Sequence, residues 1–158
     1  MMRGQFARAL PIFEALVPQF TEPADRLLAL SNVVRAAGGA GDTRAFENAW
    51  TSAFPLASEF TTTMAENALV VEAWVNLAYG AASLGEVRRG VAAATQAREL
   101  AVQRGREAER QRTNAILASV RSARGIRATP HQLQERGTHA EAAADVFARD
   151  LLVALTWV

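Results

Sequence analysis

Apolar residues recur along most of this chain at three- and four-residue spacing, and no stretch alternates apolar and polar positions over the length of a strand. That period puts one apolar stripe on a helix, so the pattern predicts an all-α fold. A first helix is expected from about Gln5 to Val17, with Phe6, Ala9, Leu10, Phe13, Leu16 and Val17 at helical spacing. Pro11 falls inside it and removes an i to i−4 bond unless the helix begins near Leu10. Pro18 limits the far end. Thr21-Glu22-Pro23 reads as the next start, with Thr21 as N-cap. Leu27, Leu28, Leu30, Val33 and Val34 carry that helix to a stop at Gly38-Gly39-Ala40-Gly41. Asp42 or Thr43 caps a third helix holding Phe46, Ala49, Trp50, Ala53 and Phe54, with Pro55 as a kink or an end.

Residues 58–63, Ser-Glu-Phe-Thr-Thr-Thr, read as a connector, and Thr63-x-x-Glu66 as a capping box. The fourth helix then holds Leu69, Val70, Ala73, Trp74, Leu77 and Ala78 and ends before Gly85. A fifth runs from Glu86 to about Gln103, and Gly105 separates it from a sixth spanning about Glu107 to Ala123. Residues 125–137 are the least regular stretch, and Thr138-x-x-Glu141 launches a last helix. The expectation is therefore one domain, 1–158, of about seven long helices, with a short extra helix at 130–136 and a divergent capping region at 126–158.

Superimposed on the helices is a longer repeat. Leu30-x-x-Val33-Val34 is followed by Gly41, Trp74-x-x-Leu77-Ala78 by Gly85, and Asn114-x-x-Leu117-Ala118 by Gly125, while Gly4 to Leu10 forms a partial copy. The glycines lie 37, 44 and 40 residues apart, a period that marks stacked helical hairpins. Such hairpins cannot bury their apolar faces alone, so each leans on its neighbours.

Composition narrows the function. Half of the residues are hydrophobic, enough to build a core at this length. No cysteine is present, which excludes disulfides and thiolate chemistry and fits a reducing cytoplasm. No run of 18 apolar residues would span a membrane, and the start of the chain has no apolar signal segment. All 17 basic residues are arginine, and they are unevenly spread: residues 88–127 hold ten Arg against three Glu. That basic block suits either an anion-attracting face or a solvated surface. It holds no aromatic residue for base stacking, so direct nucleic-acid binding is disfavoured.

The repeat resembles the tetratricopeptide repeat (TPR), in particular the irregular TPR-like domains attached to bacterial transcription regulators. Trp74, Leu77, Ala78 and Gly85 match the family's aromatic, leucine, small residue and turn glycine, with Gly90 and Ala97 at small positions of the second helix. Leu30, Val33, Val34 and Gly41 form another copy; Asn114 replaces the aromatic in the last. The resemblance covers about residues 4–125. It implies a right-handed stack of antiparallel hairpins, an α-solenoid that binds a protein or peptide on its concave face. On that reading Arg35, Glu72, Asn76, Tyr79, Arg112 and Ser119 are the partner-binding residues, with Arg35, Asn76 and Tyr79 exposed in a groove. Asn76 and Arg112 match parts of a carboxylate clamp, whereas Ser31 and Ile116 stand where the family has cations. The alternative is an effector-sensing or oligomerisation domain of a regulator whose DNA-binding part lies elsewhere, with the groove buried.

The last helix carries two apolar stripes, Ala140, Ala144, Phe147, Leu151, Ala154 and Val158, and Val146, Val153 and Trp157. It either caps the stack or forms a homodimer contact. The chain reads as starting in the second helix of a hairpin and ending within a helix, as a piece of a longer array would. No phosphate loop, dinucleotide fingerprint or nucleophile elbow is present. His131 and His139 are eight apart, which is not a metal-ligand spacing. The expectation is a non-enzymatic protein with no metal site and no cofactor.

Overall fold

The computed structural model describes residues 2–64 and 67–123. Among them are six α-helices and no strand: α1 (Met2–Leu16), α2 (Pro23–Ala40), α3 (Thr43–Thr63), α4 (Ala68–Leu84), α5 (Val87–Gln103) and α6 (Glu107–Ala123), with a 3₁₀ turn at Val17–Gln19. The expected seventh helix, the 126–158 region, both histidines and Gly125 lie outside the described residues.

Three turns share one construction. Gly41, Gly85 and Gly105 have φ of 79°, 87° and 63°, a region open to glycine without steric cost. At Gly41 the N–H donates to the Gly38 carbonyl at 3.2 Å and Asp42 N–H to the Ala37 carbonyl at 2.9 Å. Gly85 with Glu86, and Gly105 with Arg106, repeat the pair of bonds onto the ends of α4 and α5. These are Schellman caps, which satisfy carbonyls the helix leaves open. Asp42 then caps α3, its side chain accepting from Ala45 N–H at 3.0 Å. Gly4, by contrast, lies inside α1 and closes no turn.

The helix boundaries differ from expectation where local propensity meets tertiary burial. Pro11 sits within α1 on its exposed side. Glu22, not Thr21, is the N-cap of α2, and Pro23 opens the helix. Residues 58–63 are no connector: α3 runs through Pro55 to Thr63. Ala57 and Phe60 are buried and hold this last part in place. The hydroxyls of Ser58, Thr61 and Thr63 turn back to the carbonyls four residues earlier. Thr63 thus ends α3 instead of capping α4. Asn67 takes that role, its side chain accepting from Leu69 N–H at 2.9 Å.

Helix α4 is the hub. It packs against α2, α3, α5 and α6, while α1 packs on α2. Trp74, Val70, Val71, Val75 and Leu77 are wholly buried on it. The α2–α4 crossing is unusually close, because a Cβ on Gly38 would overlap the backbone of Gly80, and one on Gly80 would overlap the Val34 carbonyl. On α3, Phe46, Trp50 and Phe54 stack at i, i+4 and i+8 with centroid separations of 5.4 and 5.2 Å. Phe54 meets Trp74 edge-on at 5.4 Å, and the Trp74 indole N–H donates to the Thr61 hydroxyl at 2.9 Å. Trp50 and Trp74 are wedges between helices, where their area stabilises packing.

Candidate functional site

Helices α2, α4 and α6 lie in series, α4 touching both of the others, and five of the six expected contact residues meet across them. Asn76 on α4 sits at the centre. Its Oδ1 accepts from Arg35 Nη1 at 3.0 Å, and its Nδ2 donates to the Ser31 hydroxyl at 3.2 Å and to Asn32 Oδ1 at 3.0 Å. The Ser31 hydroxyl itself donates to the Leu28 carbonyl at 2.7 Å. The Arg35 guanidinium also lies 4.9 Å from the centre of the Tyr79 ring, a cation–π distance.

The expected exposure of these residues is corrected by the structure. Arg35 is 5% and Asn76 1% exposed, and Ser31 is fully buried. An amide has both donor and acceptor capacity, and only a polar neighbourhood satisfies it when buried. Arg35, Ser31 and Asn32 together are what satisfy Asn76. Tyr79 is partly buried. Burial pushes its phenol above the usual range, Arg35 and Arg112 pull it back, and Glu72 adds to the rise.

Glu72 and Arg112 form the second half of the face. Arg112 Nη1 and Nη2 donate to the two Glu72 oxygens at 3.1 and 2.6 Å, a bidentate fork joining α6 to α4. Burial disfavours the charged form of Arg112, but Glu72 and then Glu109 outweigh it and hold the guanidinium above its usual range. The Arg112 guanidinium is thus already occupied, and Ile116 is buried. Ser119 is exposed on α6.

Among the described residues, Arg89, Arg106, Arg110 and Arg112 of the basic block are paired with acids. Arg89 meets Glu47 at 2.6 Å and covers the Phe46 and Trp50 rings at 5.8 and 5.4 Å. Arg106 faces Glu109 at 3.6 Å, Arg110 forks onto Glu107, and Arg104 donates to the Asn67 carbonyl at 3.1 Å. Arg88 and Arg98 are exposed. The Arg89–Glu47 bridge and the Gly38–Gly80 crossing are features that helical periodicity does not reveal, since both depend on which helices meet.

Among the described residues no group of three His, Cys, Asp or Glu is placed to hold a metal, and no helix is long and apolar enough to cross a membrane. No family model matches the chain, and neither a curated protein nor a solved structure matches it. What the structure establishes, among the described residues, is an all-α arrangement whose six helices pack on one another around α4.

Proposed function

We propose that this chain is a non-enzymatic binding scaffold, a TPR-like right-handed stack of antiparallel hairpins that holds an extended segment of a partner protein. Helices α2 and α3, then α4 and α5, are its two hairpins; α1 and α6 belong to flanking ones. The observation that supports this most directly is the succession of α2, α4 and α6, each in contact with the next, while a tight glycine turn joins α2 to α3 and α4 to α5. In a solenoid that arrangement puts the first helix of every hairpin on one surface. Glu72, Tyr79, Arg112 and Ser119 reach the outside of this surface, so they are the partner contacts. Arg35 and Asn76 stand beneath and hold it in shape. The pairing of Arg89, Arg106, Arg110 and Arg112 with internal carboxylates speaks against a nucleic-acid face, and the cysteine-free composition suits a cytoplasmic protein.

Burial of Arg35 and Asn76 favours a second reading, an effector-sensing or oligomerisation module of a bacterial transcription regulator, in which the polar cluster is closed. Panning a library of random twelve-residue peptides separates the two. A scaffold yields peptides whose affinity falls at least tenfold in Tyr79→Ala and in Ser119→Arg, with melting behaviour retained. Binding that survives both substitutions sinks the scaffold reading, and a stable dimer by light scattering supports the second. Asn76→Ala is unsuited as a contact probe, because a buried amide that joins two helices affects folding first.

A further inference from the structure

We infer that Glu72 is an internal plug: its carboxylate occupies Arg112, and an acidic segment of the partner binds by taking its place. This rests on the α2–α4–α6 surface being the partner face. The fork crosses from α6 to α4, and its side chains are 20% and 23% exposed. The pair is therefore sheltered from full solvent screening yet open to a competing group at its rim. Arg110–Glu107 differs: it lies within α6, with side chains 42% and 56% exposed, and is an ordinary surface pair of little consequence.

Three features make the Glu72 position exchangeable for a carboxylate from outside. The planar fork of Arg112 fits any carboxylate in the same geometry. The other nearby acid, Glu109, lies 3.9 Å from Arg112 and faces Arg106 at 3.6 Å, so it is a poor substitute for the fork. Tyr79, half-buried and about two turns beyond Glu72 on α4, offers an incoming acid a hydroxyl donor, while Arg35 stays buried against its ring. Glu72 attenuates such binding without abolishing it. A group that holds Arg112 about nine-tenths of the time lowers apparent affinity about tenfold.

The test uses fluorescence anisotropy with a labelled twelve-residue peptide containing four consecutive glutamates, and its glutamine analogue. Glu72→Gln is expected to bind the glutamate peptide about tenfold more tightly than the wild type, with less than a twofold gain for the analogue. The gain should vanish in Glu72→Gln/Arg112→Gln. In the unaltered protein, the Arg112 side-chain N–H resonance should shift on adding the glutamate peptide and stay put with the analogue. Equal affinity of wild type and Glu72→Gln, or no binding of the glutamate peptide to either, overturns the plug. The partner face itself falls only if library-selected peptides ignore Tyr79→Ala and Ser119→Arg.

Discussion

Helix α4 is held on two sides by different means. Toward α2 the seam is made by shape: Gly38 and Gly80 bring two backbones into contact, and Asn76, Arg35, Ser31 and Asn32 form a closed polar patch beside them. Toward α6 the visible polar tie is one fork between long side chains, Glu72 and Arg112. Close packing of main chain tolerates no adjustment, because interiors are as dense as organic crystals. An ion pair at a rim exchanges partners at modest cost. The contrast assigns rigidity to the first seam and responsiveness to the second, and it is a contrast that substitutions can break.

The largest effect is expected at the glycine crossing. Gly38→Ala places a methyl group on the Gly80 main chain, and no rotamer change relieves a clash with backbone. We expect a loss of about 3 kcal/mol or more, at the upper end of overpacking costs, read as a fall in melting temperature by circular dichroism. Gly41→Ala is the control. It has open space around it but a φ of 79°, so it should cost only about 1 kcal/mol. If the two variants melt alike, the close α2–α4 approach is wrong.

Second in size is Asn76→Ala. It removes the acceptor for Arg35 and the donor for Ser31 and Asn32 at once, inside a patch almost without solvent. The expected loss is about 2–4 kcal/mol, because buried polar groups then lack a partner they had. Denaturant titration measures it. A loss below about 0.5 kcal/mol would mean that water reaches the patch and that the first seam is less closed than described.

Much of this contrast was visible in the residues before the helices were placed, and the part that was not has a physical reason. The helices themselves follow from the spacing of residues such as Leu27, Val34, Trp74 and Leu77, and the turns from Gly41, Gly85 and Gly105, because apolar period and positive φ are local properties. The end of α3 was misread because Ser58, Thr61 and Thr63 favour turns locally, whereas Ala57 and Phe60 are buried by neighbours distant in sequence. The site was half legible. Position along α2, α4 and α6 brought Arg35, Asn76 and Tyr79 together, and Glu72 with Arg112. Their burial was not, since it depends on how closely the helices cross, and that is set by Gly80, a residue with no side chain to announce it.

The third test compares the fork with these. Glu72→Gln should cost about 1–2 kcal/mol in stability, between an exposed pair and a fully buried one. The wild-type loss on going from low to high salt should be absent from the variant. A cost above that of Asn76→Ala would reverse the proposed order of the two seams and make α6 part of the rigid core.

The smallest effect, and the sharpest in position, is on Tyr79, the chain's single tyrosine. Phenolate absorbance therefore reports this residue alone. Its titration is expected above the usual phenol value of about 10, because burial raises it more than Arg35 and Arg112 lower it. The sign for stability follows from linkage. The folded state binds the proton more tightly than the unfolded one, so this contribution is intact below the unfolded value and is lost as pH rises toward the folded value. Glu72 acts on Tyr79 in the raising direction, so Glu72→Gln should move the titration down, whereas Glu47→Gln, at the distant Arg89 bridge, should leave it in place. A downward shift in the first alone locates the carboxylate beside the phenol, on the surface where a partner's acid would have to enter.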